Sequence, residues 1–305
     1  MISRTICSLL LAALSIRLAG APAPQSRLEP SPTEILERTG QYVRQLEDDF
    51  SLVISDERYE QKAVLSTPRT RAIGAGSTRT MQSEMSFMWV PDESSWLTVR
   101  SVLKVGGESV PDSRARLDAA LVSRGAGRTS QLRRLRDEGA RFNIGRIRRN
   151  FNDPMLGLQI ADPRFQPRFS FVIAGREKVA RADTLRLTFV EQGRPTIIHR
   201  EDDADLPTRG DIWVGAADGI VRQTRLIVDD PKYDTRGTVV VAFTHEPKLD
   251  RWLPVRMDET YVQQGVTGGG VGGAGAGVFA ERIECVATYT NYRRFETSGR
   301  LVTPP

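Results

Sequence analysis

The feature that most constrains this chain is a succession of short alternating segments, each closed by a turn. "DTLRLTFVEQG" puts Leu185, Leu187 and Phe189 on one side, and "RGTVVVAFTHE" does the same with Val239, Val241 and Phe243. A side-chain period of two marks a strand with one buried face. Similar runs surround them: "FSLVISDERYEQKAV", "TRTMQSEMSFMWV", "SSWLTVRSVLKVGGESV", "RFSFVIAGREKV", "PTIIHRE", "GDIWVGAADGIVRQTRLIVDD", "WLPVRMDETYVQ" and "AERIECVATYTNYRRFE". Gly106-Gly107 and "AADG" have the composition of hairpin turns. About ten strands with hairpin-length connections predict an antiparallel meander curled into a barrel or half-barrel, not a series of βαβ units.

Two regions break this pattern. "SPTEILERTGQYVRQLEDDF" repeats its apolar residues at the helical period through Ile35, Leu36, Tyr42, Val43 and Leu46. Ser31 or Thr33 can cap it, with Glu34 in the first turn, so a helix is expected over Thr33–Asp48. The middle of the chain predicts helices over Asp112–Ser123 and Thr129–Arg141, broken by Gly125-Ala126-Gly127. A short helical or irregular plug follows, bounded by Pro154 and Pro163. The expected class is α+β: a curled antiparallel half-barrel with an N-terminal helix and a helical insertion, about residues 111–165, covering the concave face. One domain over 33–298 accommodates all of this.

The first 23 residues read as a secretory signal peptide: Arg4, an apolar run from Ile6 to Ile16, then small residues at Ala19, Gly20, Ala21 and Ala23. Residues 24–32 read as a disordered, proline-rich lead-in. Localisation is therefore expected to be periplasmic or secreted, with a soluble mature form. Of the two cysteines, Cys7 belongs to the signal, leaving Cys285 without an internal disulfide partner. In the strand-like "RIECVATYT" it reads as a buried, inert thiol. The formal charge of +5 falls to about +3 once Arg4 and Arg17 leave with the signal.

Catalytic patterns are sparse. His199 and His245 belong to no metal-binding pair, and the acidic loop with Asp202, Asp203 and Asp205 lacks the glycine and closing glutamate of a calcium loop. There is no G-x-S-x-G elbow. Asp56-Glu57 and Asp258-Glu259 lie in strands, where neighbours point to opposite faces, so neither is a natural acid/base pair. No catalytic residue, metal or cofactor is assigned. "GGGVGG", Gly268 to Gly273, matches the dinucleotide fingerprint, but another strand follows it instead of a helix. Residues 265–277 read instead as a flexible glycine-rich connection.

Two sets of residues remain as candidate sites. Trp89, Trp96, Trp213 and Trp252, with Phe189, Phe243, Tyr261 and Tyr289, can line the concave side of a curled sheet, whether as core or as the wall of an apolar ligand cavity. The basic run holding Arg133, Arg134, Arg141, Arg146, Arg148 and Arg149 suits either a solvated helix face or docking to an anionic membrane surface or acidic protein. Export argues against nucleic acid as a partner.

The order of parts, ending in the closing strand "ATYTNYRRFE", resembles the lipoprotein carriers and receptors of the Lol system, the LolA/LolB-like fold. The resemblance is one of layout. It implies a half-barrel with a helical lid over an apolar cavity. "YVRQLEDDFSLVISDERYEQ", "GARFNIGRIRRNFNDPMLGL", "RPTIIHRE", "GDIWVGAADGIVRQT", "WLPVRMDETY" and "ATYTNYRRF" are similar to an uncharacterised family of exported, acidobacteria-like bacterial proteins, which implies no activity. The function expected is that of an exported, non-enzymatic carrier or binding protein for a hydrophobic ligand, a lipid or lipoprotein acyl chain. A protein-interaction or sensor module of the envelope, and a hydrolase, are the alternatives.

Overall fold

Strand alternation builds one sheet. In the computed structural model, residues 30–49, 52–66, 76–90, 93–123, 125–149, 151–267 and 277–295 are described. Eleven strands form β1 (Val53–Ser66), β2 (Ser77–Val90), β3 (Ser95–Val105), β4 (Glu108–Ser109), β5 (Phe169–Val179), β6 (Ala182–Glu191), β7 (Thr208–Gly215), β8 (Val221–Asp230), β9 (Thr235–Glu246), β10 (Arg251–Thr267) and β11 (Gly277–Arg294). They lie in the order β4-β3-β2-β1-β11-β10-β9-β8-β7-β6-β5, antiparallel throughout. Two meanders are thereby joined by the last strand pairing with the first, from Val53 opposite Arg294 to Ser66 opposite Ala280. The sheet is open and curled, an α+β half-barrel. The residues read as a signal peptide and most of those read as a lead-in lie outside the described residues, as does the centre of the glycine run. Gly265, Val266 and Thr267 still pair in register with Phe279, Val278 and Gly277, so the two strands reach further into that run than expected.

"PTIIHRE" is not a strand. Its one ladder contact is a bridge between His199 and Asp205. Asp205 Oδ1 accepts from the Thr196 backbone N–H at 2.6 Å and from its hydroxyl at 3.0 Å, and these local bonds replace a sheet partner.

Among the described residues four α-helices accompany the sheet: α1 (Pro32–Asp49), α2 (Ser113–Val122), α3 (Gly125–Ala140) and α4 (Leu156–Ala161). Ser31 caps α1 through a capping box. Its hydroxyl accepts from the Glu34 N–H at 3.3 Å, and Glu34 accepts from the Ser31 N–H at 2.7 Å. Gly125-Ala126-Gly127 does not break a helix; it opens α3. The reversal before it is taken by Ser123 in extended backbone and by Gly125 at φ +57°.

The two faces of the sheet are covered differently. On the inner face, Ile35, Val43 and Leu46 of α1 and Leu158 and Ile160 of α4 join the large core with Tyr59, Phe189, Val241 and Tyr261. On the opposite face of β1–β3, Leu117 and Leu121 of α2 and Leu132 and Leu135 of α3 pack on Ile54, Met88, Leu97 and Val99 in a second cluster. The insertion therefore wraps the β3 side of the sheet. α3 passes so close that a Cβ on Gly139 would stand 2.5 Å from the Arg100 carbonyl oxygen. The segment after α3, with α4, returns to the inner face. The sequence predicts an insertion that covers the concave side, and the structure differs for α2 and α3. The apolar residues of α2 and α3 instead meet the outward-facing row of β3, because α2 follows directly from the edge strand β4 and its Ser113 hydroxyl bonds the Val102 carbonyl at 2.5 Å.

Inside the half-barrel, Arg100 and Glu57 form a two-pronged ion pair at 2.6 and 2.9 Å, with side chains 9% and 0% exposed. The Arg100 guanidinium also lies over the Tyr59 ring, 4.2 Å from its centre. Removing one partner of such a pair strands a buried charge, at a cost of about 3–5 kcal/mol. Glu57→Ala is expected to lower unfolding stability by about that amount in urea titration, while a Glu57→Ala/Arg100→Met double substitution recovers much of it.

At the α1–α4 junction, Glu47 and Asp162 both contact Arg164, whose guanidinium stacks 4.4 Å over Trp89. Burial, and then the neighbouring Asp162, pushes the Glu47 carboxyl up to about 8. Burial works against Asp162 as well, but hydrogen bonds from Arg164 and Glu47 hold it below its ordinary value. A carboxyl raised in the native state binds more protons folded than unfolded. Its contribution is complete below the ordinary glutamate value and is lost as pH rises towards about 8. Thermal stability is expected to fall from pH 5 to pH 9, and Glu47→Gln to flatten that slope.

Candidate functional site

The site is built by the segment between α3 and α4 as it crosses the inner face. Gln61 of β1 holds its first turn: the amide N–H donates to the Phe142 carbonyl at 3.1 Å, and the amide oxygen accepts from the Ile144 N–H at 3.1 Å. Arg79 adds a bond to the same carbonyl at 2.9 Å. Both carboxylate oxygens of Glu281 on β11 accept from the Arg146 N–H at 3.0 Å. The chain can descend this far because residue 145 is glycine, at φ +86°, where a Cβ would stand 2.4 Å from the Ile283 side chain.

Arg149 then turns inward and is 5% exposed. Its guanidinium donates to Gln61 Oε1 at 2.8 Å, to the Ile144 carbonyl at 3.0 Å, to the Tyr59 hydroxyl at 3.3 Å and to Cys285 Sγ at 2.8 Å. Glu259 lies behind, accepting from the Tyr261 hydroxyl at 2.6 Å, and burial raises its carboxyl. Among the described residues no carboxylate comes within ion-pair distance of Arg149.

Between this segment, the end of α3 and β3 lies a cavity of about 440 Å³. That volume is within the range of small-molecule sites. Met85, Trp96, Leu156, Ile197 and Ile198 form its apolar wall, and Arg100, Asn143, Arg149 and Asp153 its polar wall. Asp153 is held by the Thr98 hydroxyl and the Met155 N–H, each at 2.8 Å, and burial pushes its carboxyl up.

Of the eight aromatic residues singled out in the sequence, Trp96 lines this cavity, with Trp89 packed edge-on against it at 5.5 Å between ring centres. Phe189, Phe243, Tyr261 and Tyr289 are buried in the inner core. Trp252 is half-buried beneath the Arg222 guanidinium, 3.6 Å away. Trp213 is a correction: it faces the outer side, where its indole donates to Glu177 at 2.9 Å and Arg225 lies over the ring. Ile212 and Val214 take the inner positions of β7, and strand alternation sends Trp213 the other way.

The arginines also divide. Arg134, Arg141, Arg146 and Arg148 are exposed, Arg148 paired with Glu201, and Arg133 is paired with Glu93. Arg149 is the second correction: it is buried in the half-barrel and offers nothing to an outer surface. Gln61, Arg100, Asn143 and Asp153 were not singled out in the sequence, and Glu57 was weighed there only as half of a carboxylate pair. The signal available for Glu57 and Gln61 was polar residues at odd positions of β1, in step with Tyr59. The carboxylate pairs do split across the sheet as alternation requires: Asp56 meets Arg293 and Asp258 meets Arg256 on the outside, while Glu57 and Glu259 are buried.

No protein-family model matches the chain, and no curated protein matches it. Solved structures similar in layout include a domain from Vibrio parahaemolyticus described as outer membrane lipoprotein-sorting (10% identity, 85% of this chain and 91% of that one, TM-score 0.32). A LolA superfamily protein from Nitrosomonas europaea matches at 10% identity, over 88% of this chain and 94% of that one, with a TM-score of 0.30. A DUF1329 family protein from Desulfovibrio piger matches at 12% identity, over 86% and 94%, with a TM-score of 0.29. Likeness this distant carries no function across. Among the described residues no helix is long and apolar enough to cross a membrane.

Cys285 sits beneath Arg149, 2% exposed, and burial raises its thiol to about 11. The thiolate is the reactive form. Ellman's reagent is expected to leave Cys285 unlabelled in the native protein at pH 8 and to titrate it, along with any Cys7 present, in guanidinium.

Proposed function

We propose that the protein is an exported, non-enzymatic binding protein that holds a small lipid-like amphiphile in the cavity under its cover segment. The observation that carries this reading is the cavity itself. It has one apolar wall and one polar wall, and it is roofed by a segment that the sheet holds through Gln61, Glu281 and Arg149. The rest of the inner face is filled by Phe189, Phe243, Tyr261, Tyr289 and their neighbours. A volume of about 440 Å³ therefore suits a single short chain with its head rather than a multiply acylated lipid. Each buried methylene contributes about 0.8 kcal/mol, so even a short chain gives useful affinity.

The cavity acids support binding rather than catalysis. Asp153 is engaged by two donors, and Asp137 by Arg136 at 3.2 Å. A leader peptide over residues 1–23 belongs to the same reading. Docking to another envelope protein is a second reading. Val172 and Val190, 57% and 46% exposed, favour it because they lie as diagonal neighbours on the outer face at the free edge strand β5.

The test is organic extraction of protein purified from its own host, with mass spectrometry of the extract, alongside titration with a short-chain fluorescent fatty acid. A stoichiometric small amphiphile, or saturable uptake at one site, is the expected result. An empty extract together with no uptake would sink the proposal.

A further inference from the structure

The sheet ends differently on its two sides. At one end β4 is two residues long, and the insertion closes over its neighbour β3: the Ser113 hydroxyl bonds the Val102 carbonyl, and α3 packs against the Arg100 carbonyl at Gly139. At the other end β5 runs from Phe169 to Val179, and among the described residues it pairs with β6 alone. Alternate backbone N–H and C=O groups along β5 therefore point away from the sheet.

Native sheets blunt such edges with charges, prolines, bulges or brevity. β5 carries these devices in its second half only: the register shifts between Ile173 and Gly175, and Arg176, Glu177 and Lys178 follow. The first half, Phe169 to Ala174 ("FSFVIA"), has neither charge nor proline. Ser170, Val172 and Ala174 are exposed on its outer face, and Phe171 and Ile173 are half-buried against the inner core. Of the four large hydrophobic side chains exposed among the described residues, two, Val172 and Val190, stand here. The charges beyond the bulge are engaged: Lys178 faces Asp183 at 4.0 Å, and Glu177 serves Arg186 at 3.1 Å and the Trp213 indole at 2.9 Å.

We propose that this half-strand is a homodimer interface, in which β5 pairs antiparallel with β5 of a second copy across a two-fold axis. Three features of the run choose that occupant. Its outward backbone groups fit another strand. Its uncharged residues on both faces ask for a strand that is uncharged on both faces. The run itself is such a strand, and a two-fold sets each copy's run against the other's. With the axis at Val172, Phe171 of each copy meets Ile173 of the other, and Ser170 meets Ala174. An axis beyond Gly175 would set Arg176 or Lys178 against itself, which like charges oppose. Because β4 is too short to serve as a second such edge, assembly stops at two copies. The proposal takes up the docking reading of this edge and names its occupant; it does not depend on the cavity.

Sedimentation velocity of the full chain, from about 5 to about 500 µM, tests this against a dissociation constant expected on the order of 100 µM, because so short a run lies well below the roughly 20–30 residues a side of a standard interface. A reversible monomer–dimer step with no larger species is the expected result. Val172→Lys is expected to raise the dissociation constant about tenfold or more. Val122→Lys, at a valine 63% exposed on α2, is expected to leave it unchanged within about twofold. Ala174→Lys repeats the test should Val172→Lys fail to fold. Hydrogen exchange reads the pairing itself: amides of Phe169–Ala174 are expected to slow at the highest concentration while those of β1 do not change. A chain that stays monomeric throughout, forms an open-ended series, or loses its dimer to Val122→Lys as readily as to Val172→Lys would overturn the proposal. The first of these leaves the edge to another envelope protein, and none of them bears on the ligand test.

Discussion

A guanidinium buried among neutral partners ties the cover segment to the sheet beneath it. Arg149 reaches from the cover segment to Gln61 and Tyr59 on β1 and to Cys285 on β11. β1 and β11 are the strands where the two meanders meet. The same residue therefore ties the cover to the seam of the sheet. Its depth depends on Gly145 and Glu281, which let the backbone descend, and on a tyrosine-rich inner face that accepts a cation without a matching carboxylate.

This arrangement divides the inner face into two regimes. From β5 to β9 it is apolar and filled, with Leu185, Leu187, Phe189, Val239, Val241 and Phe243 packed beneath α1 and α4. From β3 to β11 it is polar but closed: Glu57 answers Arg100, and Gln61 serves both the cover and Arg149. The cavity lies beside this polar half, next to Trp96 and Leu156. A carrier with a wholly apolar hollow was the simplest expectation from a curled sheet. Close packing of large aromatic side chains removed most of that hollow and left a smaller, two-sided one.

The strands were legible because alternation survives any tertiary context that buries one face. α1 was legible for the same reason at a different period, and Ser31 and Glu34 marked its start. Trp213 was not, because "DIWVG" is buried on both sides and alternation between like residues has no visible phase. Nor was the path of the insertion. α2 and α3 show apolar stripes, and a stripe says that a face is buried, not against which side of the sheet. The cavity residues were hidden by distance: Trp96, Asn143, Arg149 and Ile197 meet only after the chain has doubled back over β1 and β3.

The sequence alone determined the period of each segment, and hence an antiparallel α+β sheet with one helix before it and helices within it. It also determined that Glu57 and Asp56, or Glu259 and Asp258, part company, because adjacent side chains on a strand point to opposite faces. Only the tertiary structure decided that an arginine from a basic run turns inward rather than out to solvent. That choice depends on the summed contributions of Gln61, Tyr59 and Cys285, which lie at least 88 residues from Arg149 and act on it only in the folded state, with the nearby Ile144 carbonyl adding a local bond.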